Sequence, residues 1–466
     1  MAESGETIEG YDTGAAAMST TTLPPGPGSP PAVQILNWLF RPIAFLDSCR
    51  ERYGESFSLT FPGFEKPMVI ISNPDHVAAL FKERENGLPP GRTLALEPIL
   101  GSRSILLLEG SEHLARRKVM LPPFHGERMR AYEDQIEAAI GREIDSWPLD
   151  TEFPLHPRMQ AVTLEVILNA VFGVSDEARR ARLRPLLANL LDQTAGPSLQ
   201  VRFLLSRRIS RMKDPLAALR TQLLAADELI ALEAAERRHD PNLESRSDIL
   251  SMLVAARFED GEPMGDSELR DQLMTLLLAG HETTATALAW TFDLLLRNPE
   301  QLRRLRREVR EGEDDLYLRA TTSEALRLRP VVPLAGRRLA HPLEIDGRQL
   351  PPGTDVAPAI WLTHTRPESY PDPLAFRPER FLEDGPETYS WIPFGGGVRR
   401  CLGAAFAEFE MRVVLRAVLS RCEIEGTRSK PERITRRNVT FSPKRGTPVR
   451  VRSRHGARAE RSPAPA

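Results

Sequence analysis

The sequence predicts a mainly α-helical fold with a small β-rich subdomain, and three observations carry that expectation. Apolar residues recur at helical spacing through most of the 466-residue chain. Strand-like patterning is concentrated near the N-terminus and again in residues 330–360. One run, Asp266 to Arg297, is apolar on nearly every side. At roughly 1.5 Å per residue it is about 45 Å long, the mark of a helix threaded through a core. With 41% hydrophobic residues the chain can bury a core large enough to enclose a cofactor.

Taken in order, residues 1–22 are polar, small and acidic, with no signal-peptide pattern, and Leu23 to Pro31 is a stiff Pro/Gly run. Residues 1–31 are therefore expected to be a disordered segment and linker, 32–451 the folded domain, and the Arg/Pro/Ala-rich 452–466 a disordered tail. Phe57–Phe61 and Met68–Ser72 are predicted strands around a Pro62-Gly63 turn, and Asn73-Pro74 opens a helix to Lys82. Residues 84–104 form an unusually apolar loop carrying Leu94, Leu96, Ile99 and Leu100. Helices are expected at 111–120, 128–147, 158–172 and 215–238, followed by a polar loop at 239–247. Asp266 and Ser267 are positioned to cap the long helix, and Asn298-Pro299 ends it. Further helices follow at 301–311, 316–328 and from Gly403 to Ser420.

Net charge is −2, from 62 basic and 64 acidic residues, which gives no general attraction to nucleic acid or an anionic membrane. The longest apolar stretch, Leu273 to Leu296, is broken by His281, Glu282, Thr283, Thr284 and Thr286. No segment therefore reaches the roughly 20 apolar residues of a spanning helix. Three cysteines, Cys49, Cys401 and Cys422, are too few for a disulfide framework and have no zinc spacing, so a reducing cytoplasm is the expected compartment.

Three features need a reason beyond packing. The first is Phe394-Gly395-Gly396-Gly397-Val398-Arg399-Arg400-Cys401-Leu402-Gly403, running straight into an apolar helix. Its glycines let the backbone turn tightly and come close to something flat. Arg399, Arg400 and the helix N-terminus favour a thiolate, and free N–H groups can hydrogen-bond the sulfur. Cys49 and Cys422 lack this setting and read as buried core cysteines.

The second is Ala279-Gly280-His281-Glu282-Thr283-Thr284, at the middle of the long helix. A mid-helix glycine costs about 1 kcal/mol relative to alanine, a buried acid needs partners, and threonines back-bond to the preceding turn. Together they open a polar notch suited to holding O2 and relaying protons. The third is Glu324-Ala325-Leu326-Arg327, with Phe376-Arg377-Pro378-Glu379-Arg380-Phe381 downstream. Glu and Arg at i, i+3 share a helix face. Glu127/Arg130, Glu177/Arg180 and Glu300/Arg303 repeat the spacing and read as surface pairs, but only Glu324 is followed by Leu328-Arg329-Pro330 and, 77 residues on, the cysteine loop.

These motifs in this order resemble the cytochrome P450 superfamily of haem-thiolate monooxygenases, over about residues 32 to 450. The resemblance implies haem b enclosed between the long central helix and the cysteine loop, with Cys401 as the axial iron ligand, Phe394 packed beside the sulfur and Gly403 following it. It implies that His113, Arg117, Arg337 and Arg399 grip the haem propionates, that Glu282 and Thr283 deliver protons during oxygen activation, and that Glu324, Arg327 and Arg380 form a buried charge triad. His281 stands at a variable motif position and is either a pocket contact or without a role. The substrate pocket would be lined by Leu94, Leu96, Leu277, Leu278, Ala279, Val332, Leu334 and Ala335, with Phe203, Leu204 and Leu205 over its entrance. Hydroxylation or epoxidation of a fatty acid, terpenoid or steroid-like molecule is implied, as in soluble bacterial-type members. Electrons would come from a separate ferredoxin or flavodoxin with its NAD(P)H reductase, docked on Arg116, Lys118, Arg400 and Arg412. The alternatives are a haem-thiolate peroxygenase or isomerase that needs no reductase, and a non-catalytic haem-binding sensor or carrier.

Overall fold

The structure, a computed structural model, describes residues 23–61, 66–89, 96–124, 126–173, 176–195, 217–312, 314–383, 385–437 and 439–455. Helices α1 (Pro31–Phe40) and α2 (Pro42–Tyr53) precede strands β1 (Ser56–Leu59) and β2 (Met68–Ile71) and helix α3 (Pro74–Lys82). Helices α4 (Gly110–Met120) and α5 (Glu133–Asp145), strand β3 (Glu152–Pro154) and helix α6 (Leu155–Ile167) follow. Next come α7 (Glu177–Ala195), α8 (Ala217–Arg238), α9 (Ile249–Ala255), the central helix α10 (Asp266–Arg297), α11 (Pro299–Glu311) and α12 (Leu316–Leu328). Short strands β4 (Arg337–Arg338), β5 (Leu343–Ile345), β6 (Arg348–Leu350) and β7 (Asp355–Pro358) lead to α13 (Ile360–His364). The cysteine helix α14 (Ala404–Arg421) then runs into β8 (Cys422–Gly426), β9 (Ile434–Arg437), β10 (Thr440–Pro443) and β11 (Pro448–Arg454).

The mixed sheet has order β1-β2-β7-β4: β1 pairs antiparallel with β2 (Ser56 with Ile71), and β2 parallel with β7 (Met68 with Asp355). A second sheet has order β3-β11-β8, and β5-β6 and β9-β10 are separate hairpins. The central helix is the axis of the core. Its Leu288, Phe292 and Leu295 are buried together with Ile136 of α5, Val162 of α6, Leu326 of α12 and Leu415 of α14. This explains why its sequence is apolar on nearly every side: most of its length is covered by packed neighbours.

Several boundaries differ from the sequence expectation. The Leu23–Pro31 run is docked, not a free linker: Ser58 N–H donates to Pro25 O at 3.0 Å, and Gln34 Nε2 reaches Pro27 O and Ser29 O. A Cβ on Gly26 would lie 1.9 Å from Ser58 O, so only glycine lets this run lie on β1. Strand β11 extends through Arg454, into the stretch read as tail. The central helix is capped at Gly265, which has no side chain to offer, and Asp266 stands inside the first turn, paired with Arg238 of α8. Residues 128–147 split into a 3-10 stretch (Gly126–Tyr132) and α5. The loop at 84–104 contains a helical turn at 96–100. Helices α1, α2, α7 and α9 and strands β8–β11 were not anticipated. α7 escapes pattern reading because it is arginine-rich, weakly amphipathic and carries Pro185 inside it. The Pro62-Gly63 turn, Leu94 and Phe203–Leu205 lie outside the described residues.

Candidate active site at the cysteine loop

The glycines of the cysteine loop are demanded by its contact with the end of α3. A Cβ on Gly396 would sit 2.3 Å from the Phe81 ring and one on Gly397 2.3 Å from Phe81 O, while Gly395 and Gly397 adopt φ of +67° and +64°. A 3-10 turn at Gly397–Arg399 brings the chain round so that Cys401 N–H donates to Phe394 O at 2.9 Å, closing the loop. Phe394 packs edge-on against Trp391. Arg337 on β4 donates to Gly396 O at 3.0 Å and Arg399 to Leu108 O at 2.7 Å, tying the loop to the sheet and to the entrance of α4. Gly403 caps α14, and its N–H bonds the Cys401 sulfur.

Cys401 is exposed, yet its sulfur is crowded by protein, so the exposed face opens on an interior cleft. Burial pushes its thiol up, opposed by the Gly403 N–H, Arg117 and Arg400. Arg400 of the loop and the Gly403 N–H favour the thiolate as expected, joined by Arg117, but burial is the largest influence and has the opposite sign. A metal cation at the sulfur would reverse the balance, because a coordinated thiol is deprotonated.

Across the cleft lies the middle of the central helix. Ala279 is exposed there although the helix around it is buried, and Leu276, Gly280 and Thr283 are partly exposed. Positions 276, 279, 280 and 283 form one helical stripe at i, i+3, i+4, i+7, so the exposed surface is the wall of a cleft. Leu402, next to the cysteine, packs in the same apolar cluster as Leu276 and Leu278. Gly280 packs closely on the flank: a Cβ there would lie 3.0 Å from Ile167 Cδ1 of α6, so the end of that side chain would have to give way. Thr283 Oγ1 donates to Ala279 O at 2.6 Å, the expected back-bond. Leu277 does not line the cleft: it is 0% exposed and faces the helical core, because it is one step off the stripe. Leu96, Leu278, Val332, Leu334 and Ala335 are half-buried.

Glu282 turns away from the stripe. It accepts from Gln160 Nε2 at 2.6 Å and from Thr286 at 3.4 Å and pairs with Arg437 of β9 at 3.2 Å. Burial raises its carboxyl above the usual range, opposed by Arg437, Gln160 and Thr286. His156 lies 3.6 Å from it, but burial, with Arg437 and His281 beside it, pushes that imidazole down to about 3, so it stands neutral. His281 is buried toward α6, where Thr163 donates to its carbonyl, and burial lowers it to about 4. His113 is buried on α4, one turn before Arg117.

The charge triad is present. Arg327 grips Glu324 through two bonds of 2.6 and 2.8 Å, both side chains fully buried, and Arg380 Nε lies 3.5 Å from Glu324. Sequence reasoning missed a second buried device, a clamp between the central helix and the loop at 99–105. The Gln272 amide accepts from Ile105 N–H and donates to Arg103 O, Asp271 accepts from Arg103 N–H, and Thr275 bonds Ser104. The signal was there: three polar residues inside an apolar helix, ahead of the notch.

The described family-model match to "Cytochrome P450" spans residues 24–449. The chain belongs to the cytochrome P450 family. It is 40% identical over 448 residues to cytochrome P450 135B1 of Mycobacterium tuberculosis, covering 93% of this chain and 92% of that protein. It is 44% identical over 354 residues to cytochrome P450 137 of the same organism, covering 76% and 74%. Among solved structures it is similar to the retinoic-acid-bound cyanobacterial CYP120A1, at 25% identity and TM-score 0.80 over 93% of this chain and all of that one. The haem domain of cytochrome P450DA has the same fold, at TM-score 0.81 and 22% identity. Cytochromes P450 are haem-dependent monooxygenases that bind haem b. The residues of this P450 fit that group: Ala279 and Gly280 open the middle of the central helix, Leu402 beside the cysteine shares an apolar cluster with Leu276 and Leu278 of that helix, and Arg117 stands close enough to the Cys401 sulfur to act on its charge. Among the described residues no helix is long and apolar enough to cross a membrane.

Proposed function

We propose that this P450 hydroxylates or epoxidises an elongated hydrophobic small molecule, of the fatty-acid, terpenoid or steroid-like kind, at a haem held by Cys401. The observation that carries the reading is the closed cysteine loop, with Cys401 exposed and its neighbour Leu402 packed in one apolar cluster with Leu276 and Leu278 of the central helix. Haem bound there supplies activation of O2, with one oxygen atom going to substrate and the other to water. Gly403 N–H and the Arg117 charge steady the anionic sulfur, and His113, Arg117, Arg337 and Arg399 hold the propionates. The half-buried Leu96, Leu278, Val332, Leu334 and Ala335 exclude water and recognise apolar surface. The similar cyanobacterial protein is described with retinoic acid, itself a long apolar acid, which agrees with that substrate class.

Cys401→Ser tests the ligand. The variant is expected to lose the strongly red-shifted Soret band of the reduced CO complex, and an unchanged band would refute Cys401. Thr283 and Glu282 carry the proton relay in this reading: the Thr283 hydroxyl borders the cleft, and Glu282 must leave Arg437 to approach it. Thr283→Ala is expected to keep haem and substrate binding while several-fold more of the NADPH electrons leave as hydrogen peroxide. Equal coupling in wild type and variant would remove Thr283 from the relay.

Electrons are proposed to come from an acidic ferredoxin or flavodoxin served by an NAD(P)H reductase. In its landing face Arg116 is held by the buried Glu268 at 2.7 Å, while Lys118 pairs with Glu259 at the exposed surface. Arg400 is exposed, and Arg412 stands near Arg319, burial and then that neighbour lowering its pKa. Arg400 directly precedes the cysteine and acts on its charge, and Arg412 stands on the cysteine helix.

A further inference from the structure

His364, the last residue of α13, is fully buried and belongs to no motif. Its ring joins two elements far apart in sequence. Nε2 lies 2.8 Å from Ile392 N and Nδ1 3.1 Å from Arg327 O. A backbone N–H can only donate and a carbonyl can only accept, so Nε2 is the bare acceptor and Nδ1 carries the proton. Both bonds need the neutral ring. Burial and the Arg327 charge push the imidazole down to about 3, which keeps it neutral. The contact is reciprocal, because Arg327 also donates to His364 O at 2.8 Å.

Ile392 heads the cysteine loop. Gly395 N–H donates to Ile392 O and Cys401 N–H to Phe394 O, each at 2.9 Å, so two short backbone links carry the position of Ile392 to the cysteine. The geometry points to His364 as a positioning residue for the thiolate: its Nε2 fixes the head of the cysteine loop against the Glu324–Arg327 pair, and so sets where the Cys401 sulfur stands. This rests on the reading of Cys401 as iron ligand. It also gives the buried ion pair a route to the site, from the Arg327 carbonyl through the imidazole to Ile392. The loop has a second tether to α12, Trp391 Nε1 to Ser323 O at 3.2 Å, which leaves the fold attached when the histidine is changed.

Two replacements separate the two ring nitrogens. In His364→Gln the amide oxygen reaches the place of Nε2 and still accepts from Ile392, while the bond to Arg327 is lost. In His364→Asn the amide nitrogen takes the place of Nδ1 and Ile392 N–H is left unpaired. Each variant keeps one of two bonds, so a purely structural role predicts similar melting temperatures and similar spectra for both. Positioning predicts a contrast in the reduced CO spectrum of the purified haem protein. His364→Gln retains the red-shifted thiolate band, whereas in His364→Asn that band falls several-fold in favour of the shorter-wavelength band of a lost or protonated sulfur. Haem retained by the glutamine variant and lost by the asparagine variant carries the same support. A thiolate band equally intact in both, equally diminished in both, or haem lost by both, overturns the assignment. Absence of the band from the wild type would sink the Cys401 reading itself, and this inference with it.

Discussion

Replacing Arg327 by methionine is expected to destabilise the protein by about 3–5 kcal/mol, the cost of breaking a buried ion pair from one side. The side chain is enclosed on every face. Besides its two bonds to Glu324 it donates to the carbonyls of His364, Pro373 and Ala375, and its guanidinium stacks 4.8 Å over the Tyr370 ring. Removal leaves Glu324 at 0% exposure with only Arg380 at 3.5 Å and the Arg377 N–H at 2.9 Å, and leaves three carbonyls short of a donor. A lysine cannot replace this planar fork, so Arg327→Lys is expected to fall near the methionine variant. Glu324→Leu combined with Arg327→Met should be milder than the sum of the two single changes, because the two fully buried charges leave together and only the partly exposed Arg380 loses its carboxylate. Urea unfolding of the four proteins reads the cycle. A loss below about 1 kcal/mol in Arg327→Met would show that the pair does not hold the fold.

Glu410→Gln is expected to remove a pH dependence from the stability. Glu410 sits on the cysteine helix, 2% exposed, its Oε1 without a hydrogen-bond partner, and burial alone raises its carboxyl from 4.5 to about 8. Between those values the unfolded chain has lost the proton and the folded protein keeps it. Stability contributed by the neutral acid is therefore complete below 4.5, falls by about 1.4 kcal/mol per pH unit as pH rises, and is gone above 8. The full fall is roughly 5 kcal/mol. Glutamine has no proton to lose, so the variant should match wild type near pH 4.5 and exceed it at pH 8.5 or so. Parallel stability curves for the two proteins across that interval would show that Glu410 does not titrate within it.

The legible parts of this molecule are those whose physics is local. The apolar run at 266–297 could only be a buried helix, Asn73-Pro74 could only open one, and Asn73 does accept from the Asp75 N–H. The cysteine loop and the Glu324–Arg327 spacing were readable because glycine φ values and i, i+3 geometry belong to a few consecutive residues. Docking of Leu23–Pro31 on β1 was not readable, since its reason is a carbonyl of Ser58 lying where any Cβ on Gly26 would be. Nor was the orientation of Leu277 and Leu276, neighbours on one helix: the first faces the core and the second the cleft, and only the packed neighbours choose.

From the chain alone came the helical class, the cysteine and the order of the motifs around it, because each follows from residue types a few positions apart. Tertiary structure alone decided that the Cys401 thiol is pushed up and not down, that Glu282 is turned toward Arg437 of β9, and that His364 joins Arg327 to Ile392. Burial and hydrogen-bond partners are set by what packs against a residue. In this fold those partners lie from 28 residues away, for His364 and Ile392, to 291, for Arg399 and Leu108.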